Sequence, residues 1–141
     1  MKTYTIEKQR INDWIWPRIG RESAFFPESS FQALGIEENG ELIAGVIFEG
    51  FSSNARCSMH CAGLGRRWLT KSFLLMCFDY VFNQAGCKVV VNTVSADNAD
   101  SIRFTEHVGF TEVGRVKDGA CPNDLIIYQL HRDDCKWIKH A

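Results

Sequence analysis

Two stretches of this sequence carry side chains able to do chemistry. The first, His60-Cys-Ala-Gly-Leu-Gly-Arg-Arg-Trp-Leu-Thr-Lys-Ser-Phe73, sets two glycines, two arginines and a lysine ahead of a long apolar run. The second, Val94-Ser-Ala-Asp-Asn-Ala-Asp-Ser101, puts Asn98 and Ser101 where a strand gives way to a short helix. In the first, a strand end turns through glycines into a helix whose opening amides have no internal partner and can receive an anion. Arg66, Arg67 and Lys71 add positive charge at an end where the helix dipole does not favour it. No Asp or Glu occurs from Gly50 to Phe78, while Arg56 and these three residues do. That is a local positive field suited to an anionic partner. A solvated basic face paired with acids from elsewhere remains the alternative.

The glycine spacing is neither a Walker loop, which needs four residues between glycines and then Gly-Lys-Ser/Thr, nor a dinucleotide fingerprint. Asn98 and Ser101 can hydrogen-bond an amide-bearing ligand, or simply cap the helix. His60, near a strand end, is a candidate general base because imidazole changes charge near neutral pH. Glu49, also near a strand end, can serve instead. Cys57-x-x-His60-Cys61 supplies three soft ligands, but adjacent strand residues point to opposite faces, so no metal site is expected. A Cys-His nucleophile lacks an orienting third group.

The elements that must position these residues follow from periodicity and turn chemistry. Residues 3–7 alternate as a strand, and 11–16 read as one or two helical turns stopped before Pro17. The stretch after Pro17 is irregular, with Phe25 and Phe26 packing a surface loop or lining a pocket. Asn39-Gly40 sits between two β-rich arms, a strong hairpin signal, and Gly45 leaves room for a close approach or a bulge. A third antiparallel strand covers about 56–62. From Thr70 to about Ala85, Phe73, Leu74, Cys77, Phe78, Val81 and Phe82 recur at helical spacing, and Gly86 stops the helix. CKVVVNTV is a β-branched run of the kind buried on both faces. A short helix over 99–107, capped by Asp97 or Asn98, and two final strands complete an α+β chain with one parallel crossover in a largely antiparallel sheet.

The 141 residues suit one domain spanning the whole chain. A net charge of -1 argues against a dedicated nucleic-acid binder. No run of 18 uncharged apolar residues is present, so no membrane span is expected. MKTYTIEKQR has no apolar signal core, and Cys57, Cys61, Cys77 and Cys87 lie inside apolar segments as small hydrophobes. A reduced, cytoplasmic protein is the expectation.

Asp79-Tyr-Val-Phe82, Asn98-Ala-Asp-Ser101, Val108-Gly-Phe110, Glu112-Val-Gly-Arg115 and Asp124-x-x-x-Tyr128-x-Leu130 together resemble the GCN5-related N-acetyltransferases (GNAT). Within that family they are similar to the branch of ribosomal-protein and spermidine type, and more loosely to a subgroup borne by bacteriophages. The last would place the chain in the host cytoplasm. The resemblance covers about residues 40–137. It implies a seven-stranded, mostly antiparallel sheet with a central parallel pair, about 56–62 and 88–95, splayed to admit acetyl-CoA. The acceptor would be an amine of a small molecule or protein, and a homodimer is compatible with it. A GNAT-fold module that binds without catalysis is the alternative.

Carried over residue by residue, Arg66, Arg67, Trp68, Leu69, Thr70, Lys71 and Asn98 would contact the cofactor. Ser101 would be the thiol's partner, since Thr105 stands where many relatives have a tyrosine. Counting back from Tyr80-Val-Phe82 puts the family's two small loop residues on Trp68 and Thr70. A second register puts them on Gly63 and Gly65.

Overall fold

The computed structural model describes residues 2–19, 30–65 and 68–138. Seven strands form one sheet: β1 (Lys2–Thr5), β2 (Gln32–Glu38), β3 (Glu41–Ser52), β4 (Arg56–Gly63), β5 (Val89–Ser95), β6 (Thr111–Ala120) and β7 (Asn123–His131). Their spatial order is β1-β2-β3-β4-β5-β7-β6. All neighbours are antiparallel except β4 and β5, which run parallel. A parallel pair needs a crossover, and α2 (Lys71–Asp79) supplies it. This is the α+β architecture expected from the sequence.

The hairpin between β2 and β3 turns at Asn39 and Gly40, with φ of 54° and 82°, the mirror-image turn that matches strand twist. Gly45 serves a close approach: a Cβ there would lie 2.9 Å from Ile11 of α1 (Lys8–Arg18). The β2–β3 bulge falls elsewhere, between Ile36 and Glu37.

Helix α1 corrects one expectation. It begins at Lys8 and runs through Pro17 to Arg18 instead of stopping before the proline. A proline in the last turn forfeits one backbone bond, while Ile11, Ile15 and Trp16, all buried, hold the helix against the sheet. Phe25, Phe26 and the rest of the expected irregular stretch fall outside the described residues.

Thr70 caps α2 by accepting a hydrogen bond from Phe73 N at 3.1 Å. The helix continues as a π-helical turn, Tyr80–Gln84, and the two together match the long helix expected. Helix α3 (Ala99–Val108) is capped by Asn98, whose side chain accepts from Ser101 N at 3.1 Å. The sheet separates two apolar clusters. Ile11, Ile15, Trp16 and Ile47 pack under α1, whereas Val46, Phe48, Phe73, Phe78 and Val90 pack with α2 on the opposite side. Val108 and Phe104 join α3 to the second cluster.

Tyr128 of β7 is fully buried and donates from its hydroxyl to Glu106 at 2.9 Å. Burial and that carboxylate push its pKa up to about 12. An acid group held neutral in the fold stabilises fully below its unfolded value near 10 and loses that contribution as pH rises through 12. Melting temperatures measured from pH 8 to 12 should fall less steeply above pH 10 in Tyr128→Phe than in the unsubstituted protein.

Candidate active site

Strands β4 and β5 pair at only two positions, Arg56 with Val89 and Cys57 with Val90. Above Cys57 they part. The next bond of a parallel ladder would join Met59 N–H to Val91 C=O. Two side chains intercept it. Met59 N donates to Asn92 Oδ1 at 2.9 Å, and Val91 O accepts from Ser58 Oγ at 2.7 Å. Because N–H and C=O of alternate residues point to the same side of a strand, the backbone groups of Cys61 and Thr93 then face one another across open space.

That space is a cavity of about 370 Å³. Its lining divides by chemistry. Trp68, Phe73, Phe104, Phe110 and Cys61 wall an apolar part on the α2 side, while Asn92, Thr93, Ser95, Asn98 and Ser101 line the β5–α3 edge. His60 and Ile19 also border it. His60 belongs to the sheet face covered by α1, where its ring packs against Trp16 at 4.9 Å between centroids. The cavity thus passes between the strands and is bordered from both faces of the sheet.

The candidates read from the sequence fall into three groups. Ser101, Asn98, His60 and Trp68 line this one cavity. Glu49 joins them through His60, with Nε2 and Oε1 2.9 Å apart. With Nε2–H donating to Glu49, Nδ1 is the nitrogen left to accept a proton. Leu69, Thr70 and Lys71 lie outside the lining, at the mouth of α2. There Lys71 borders a separate shallow hollow with Ser72, Leu75, Lys136 and Trp137. Arg66 and Arg67 fall outside the described residues. Asn98 spends its side-chain oxygen as the cap, which leaves its amide N–H groups as donors.

Cys61 lines the wall, and burial pushes its thiol up to about 12, which disfavours the thiolate that a nucleophile needs. Among the described residues no group of three metal-binding side chains gathers. Two residues were missed in the sequence: Asn92, which lines the cavity, and Ser58, which holds Val91 O at its inner end. Their signal was present: each is a polar side chain inside an apolar strand pattern, the local inconsistency that marks functional positions.

Trp68 takes up an inward position. It is 6% exposed, its indole N–H donates to Gly65 O at 2.8 Å, and its ring meets Phe73 and Phe104 at 5.9 and 6.0 Å. The indole lies on Gly63 so closely that a Cβ there would be 2.1 Å from it. Gly63 therefore serves the tryptophan's seat, and Trp68 points into the cleft instead of out across the helix mouth.

No family model matches the sequence, and no curated protein matches it. Solved structures do match its fold. A single-residue mutant of the spermidine N-acetyltransferase SpeG from Vibrio cholerae aligns with a TM-score of 0.76 at 11% identity, over 94% of each chain. Other mutant forms of the same organism's spermidine/spermine N-acetyltransferase give 0.74 at 11%, over 94% of this chain and 96% of that one. A probable acetyltransferase gives 0.60 at 19%, over 74% of this chain but only 63%, less than two thirds, of that one. The fold is that of the GNAT acetyltransferases, with the parallel β4–β5 pair at its centre.

Gly63→Ala should destabilise the protein by about 1–3 kcal/mol through overpacking. Gly63→Ala/Trp68→Ala should lose less than the sum of the two single variants, because the clash is shared. Urea unfolding midpoints of the four proteins check both statements.

Proposed function

We propose that this protein is an acetyl-CoA-dependent N-acetyltransferase that modifies an amine of a small molecule or protein. One observation carries the proposal: the gap between β4 and β5 brings Ser101 and Asn98 to the same cavity as the His60–Glu49 pair. The likeness in fold to spermidine enzymes supports a small-molecule amine as acceptor. Cys57, Cys61, Cys77 and Cys87, used as small hydrophobes inside apolar segments, fit the reducing cytoplasm, where we place the reaction.

The residues divide the work as follows. An extended thioester arm would lie between the strands, its amides pairing with the exposed backbone of Cys61 and Thr93, and the Asn98 amide would donate to it. The arm's phosphates belong at the mouth of α2, where the amides of the first turn and Lys71 favour negative charge. The acceptor amine enters from the α1 side. His60, oriented by Glu49, takes its proton directly or through water. The amine nitrogen forms its bond to the thioester carbonyl carbon, and a strand N–H steadies the oxyanion. The carbon–sulfur bond then breaks, the Ser101 hydroxyl donates a hydrogen bond to the departing thiolate, and the thiolate takes up a proton from water as His60 gives up its own to solvent. Much of the acceleration comes from holding the two reactants in line.

Trp68 favours a second reading, a GNAT-fold module that binds without turning over. Its indole fills space at a position where the family pattern has a small residue. Isothermal titration with acetyl-CoA separates the two. Binding, with acetyl transfer to a panel of amines, supports the enzyme, and no heat at millimolar ligand supports the module. In an active preparation Ser101→Ala and His60→Ala should each lower kcat by about 10²-fold or more, with the acetyl-CoA KM changing little.

A further inference from the structure

The cleft exists because one hydrogen bond is not made, and two side chains account for it. Ladder pairing stops after Cys57 and Val90, at the bond from Met59 N–H to Val91 C=O. Both halves of that bond are satisfied, but not by each other. Asn92 Oδ1 accepts from Met59 N at 2.9 Å, and Ser58 Oγ donates to Val91 O at 2.7 Å. An unsatisfied buried N–H or C=O costs about 1–3 kcal/mol, so a parallel pair with apolar side chains at these positions would gain by closing. Asn92 interrupts the run Val89-Val-Val-Asn-Thr-Val94, and Ser58 lies between Cys57 and Met59 in a strand otherwise suited to burial.

We propose that Ser58 and Asn92 are positioning residues that act as a wedge, keeping β4 and β5 unzipped so that the backbone of Cys61 and Thr93 is free for the donor's amides. They act through the strands and not on the reacting atoms. Their link to donor binding rests on the acetyltransferase reading above. Their effect on the strands does not. With both side chains cut back, Met59 N–H and Val91 C=O have only each other. That bond brings Thr93 N–H to Met59 C=O and then Cys61 N–H to Thr93 C=O within reach, and the ladder advances into the cleft.

The test is amide hydrogen exchange in the ligand-free protein, followed residue by residue, in Ser58→Ala/Asn92→Ala. Exchange at Cys61 should slow about tenfold or more as its N–H gains a strand partner, and the acetyl-CoA Kd should rise by a similar factor. The conservative pair Ser58→Thr/Asn92→Asp keeps a hydroxyl donor and a carboxylate acceptor and should leave Cys61 exchange as in the parent. Unchanged or faster exchange at Cys61 in the alanine variant overturns the proposal. Should that double variant not fold, Ser58→Ala/Asn92→Val is read instead. Ser58→Ala alone frees Val91 C=O while Asn92 still holds Met59 N–H, so it is paired with Asn92→Val, whose β-branched side chain suits a strand. Slower exchange at Cys61 in that variant supports the wedge and unchanged exchange overturns it. A parent protein that never binds acetyl-CoA defeats the acetyltransferase reading, while the exchange result still decides the wedge.

Discussion

Everything distinctive in this molecule follows from a ladder bond that two neighbouring parallel strands do not form. Parallel strands inside a sheet ordinarily pair along their length, because a buried backbone group left alone is costly. Here β4 and β5 share two registered pairs and then separate, with Asn92 and Ser58 satisfying the groups at the branch point. Two side-chain hydrogen bonds, each worth about 0.5–1.5 kcal/mol net, stand for one backbone bond, so the branch point itself loses nothing when the strands part. What the exchange yields is a gap in the middle of a rigid sheet, bordered by exposed backbone on both sides.

The rest of the fold defends and furnishes that gap. Antiparallel partners hold each half of the sheet, β3 on β4 and β7 on β5, so the halves stay ordered as they diverge. Helix α2 closes one face with Phe73, Leu74 and Phe78, and α3 sits at the open end with Ser101 and Asn98 toward the cavity. On the other face α1 brings Trp16 against His60, whose partner is Glu49. On the acetyltransferase reading proposed above, a donor is gripped along the strands while an acceptor is met from the α1 side. The two groups of polar side chains need not compete for one surface.

Local chemistry made much of this legible in the sequence. Asn39-Gly40 specified its hairpin because few residue pairs take positive φ at both positions. The apolar period of α2 and the Asn98 cap were equally plain, since each is written within a few residues. Non-local features were harder to read. Pro17 signals a helix end by its own chemistry, yet the burial of Ile15 and Trp16 carries α1 through it. Trp68 read only as a large side chain where the family pattern has a small one. Its inward seat depends on Gly63, Phe73 and Phe104 meeting around it, which no local pattern encodes. The roles of Asn92 and Ser58 emerge only when the two strands are laid side by side.

The central claim, that the unzipped strands receive an acyl-CoA, is tested most directly by titrating the ¹⁵N-labelled protein with acetyl-CoA and following backbone amide resonances. The account predicts the largest shifts at Cys61, Thr93, Lys71, Ser72 and Ser101, with β1 and β2 unmoved. Shifts confined to the outer surface, or none at millimolar acetyl-CoA, would contradict it.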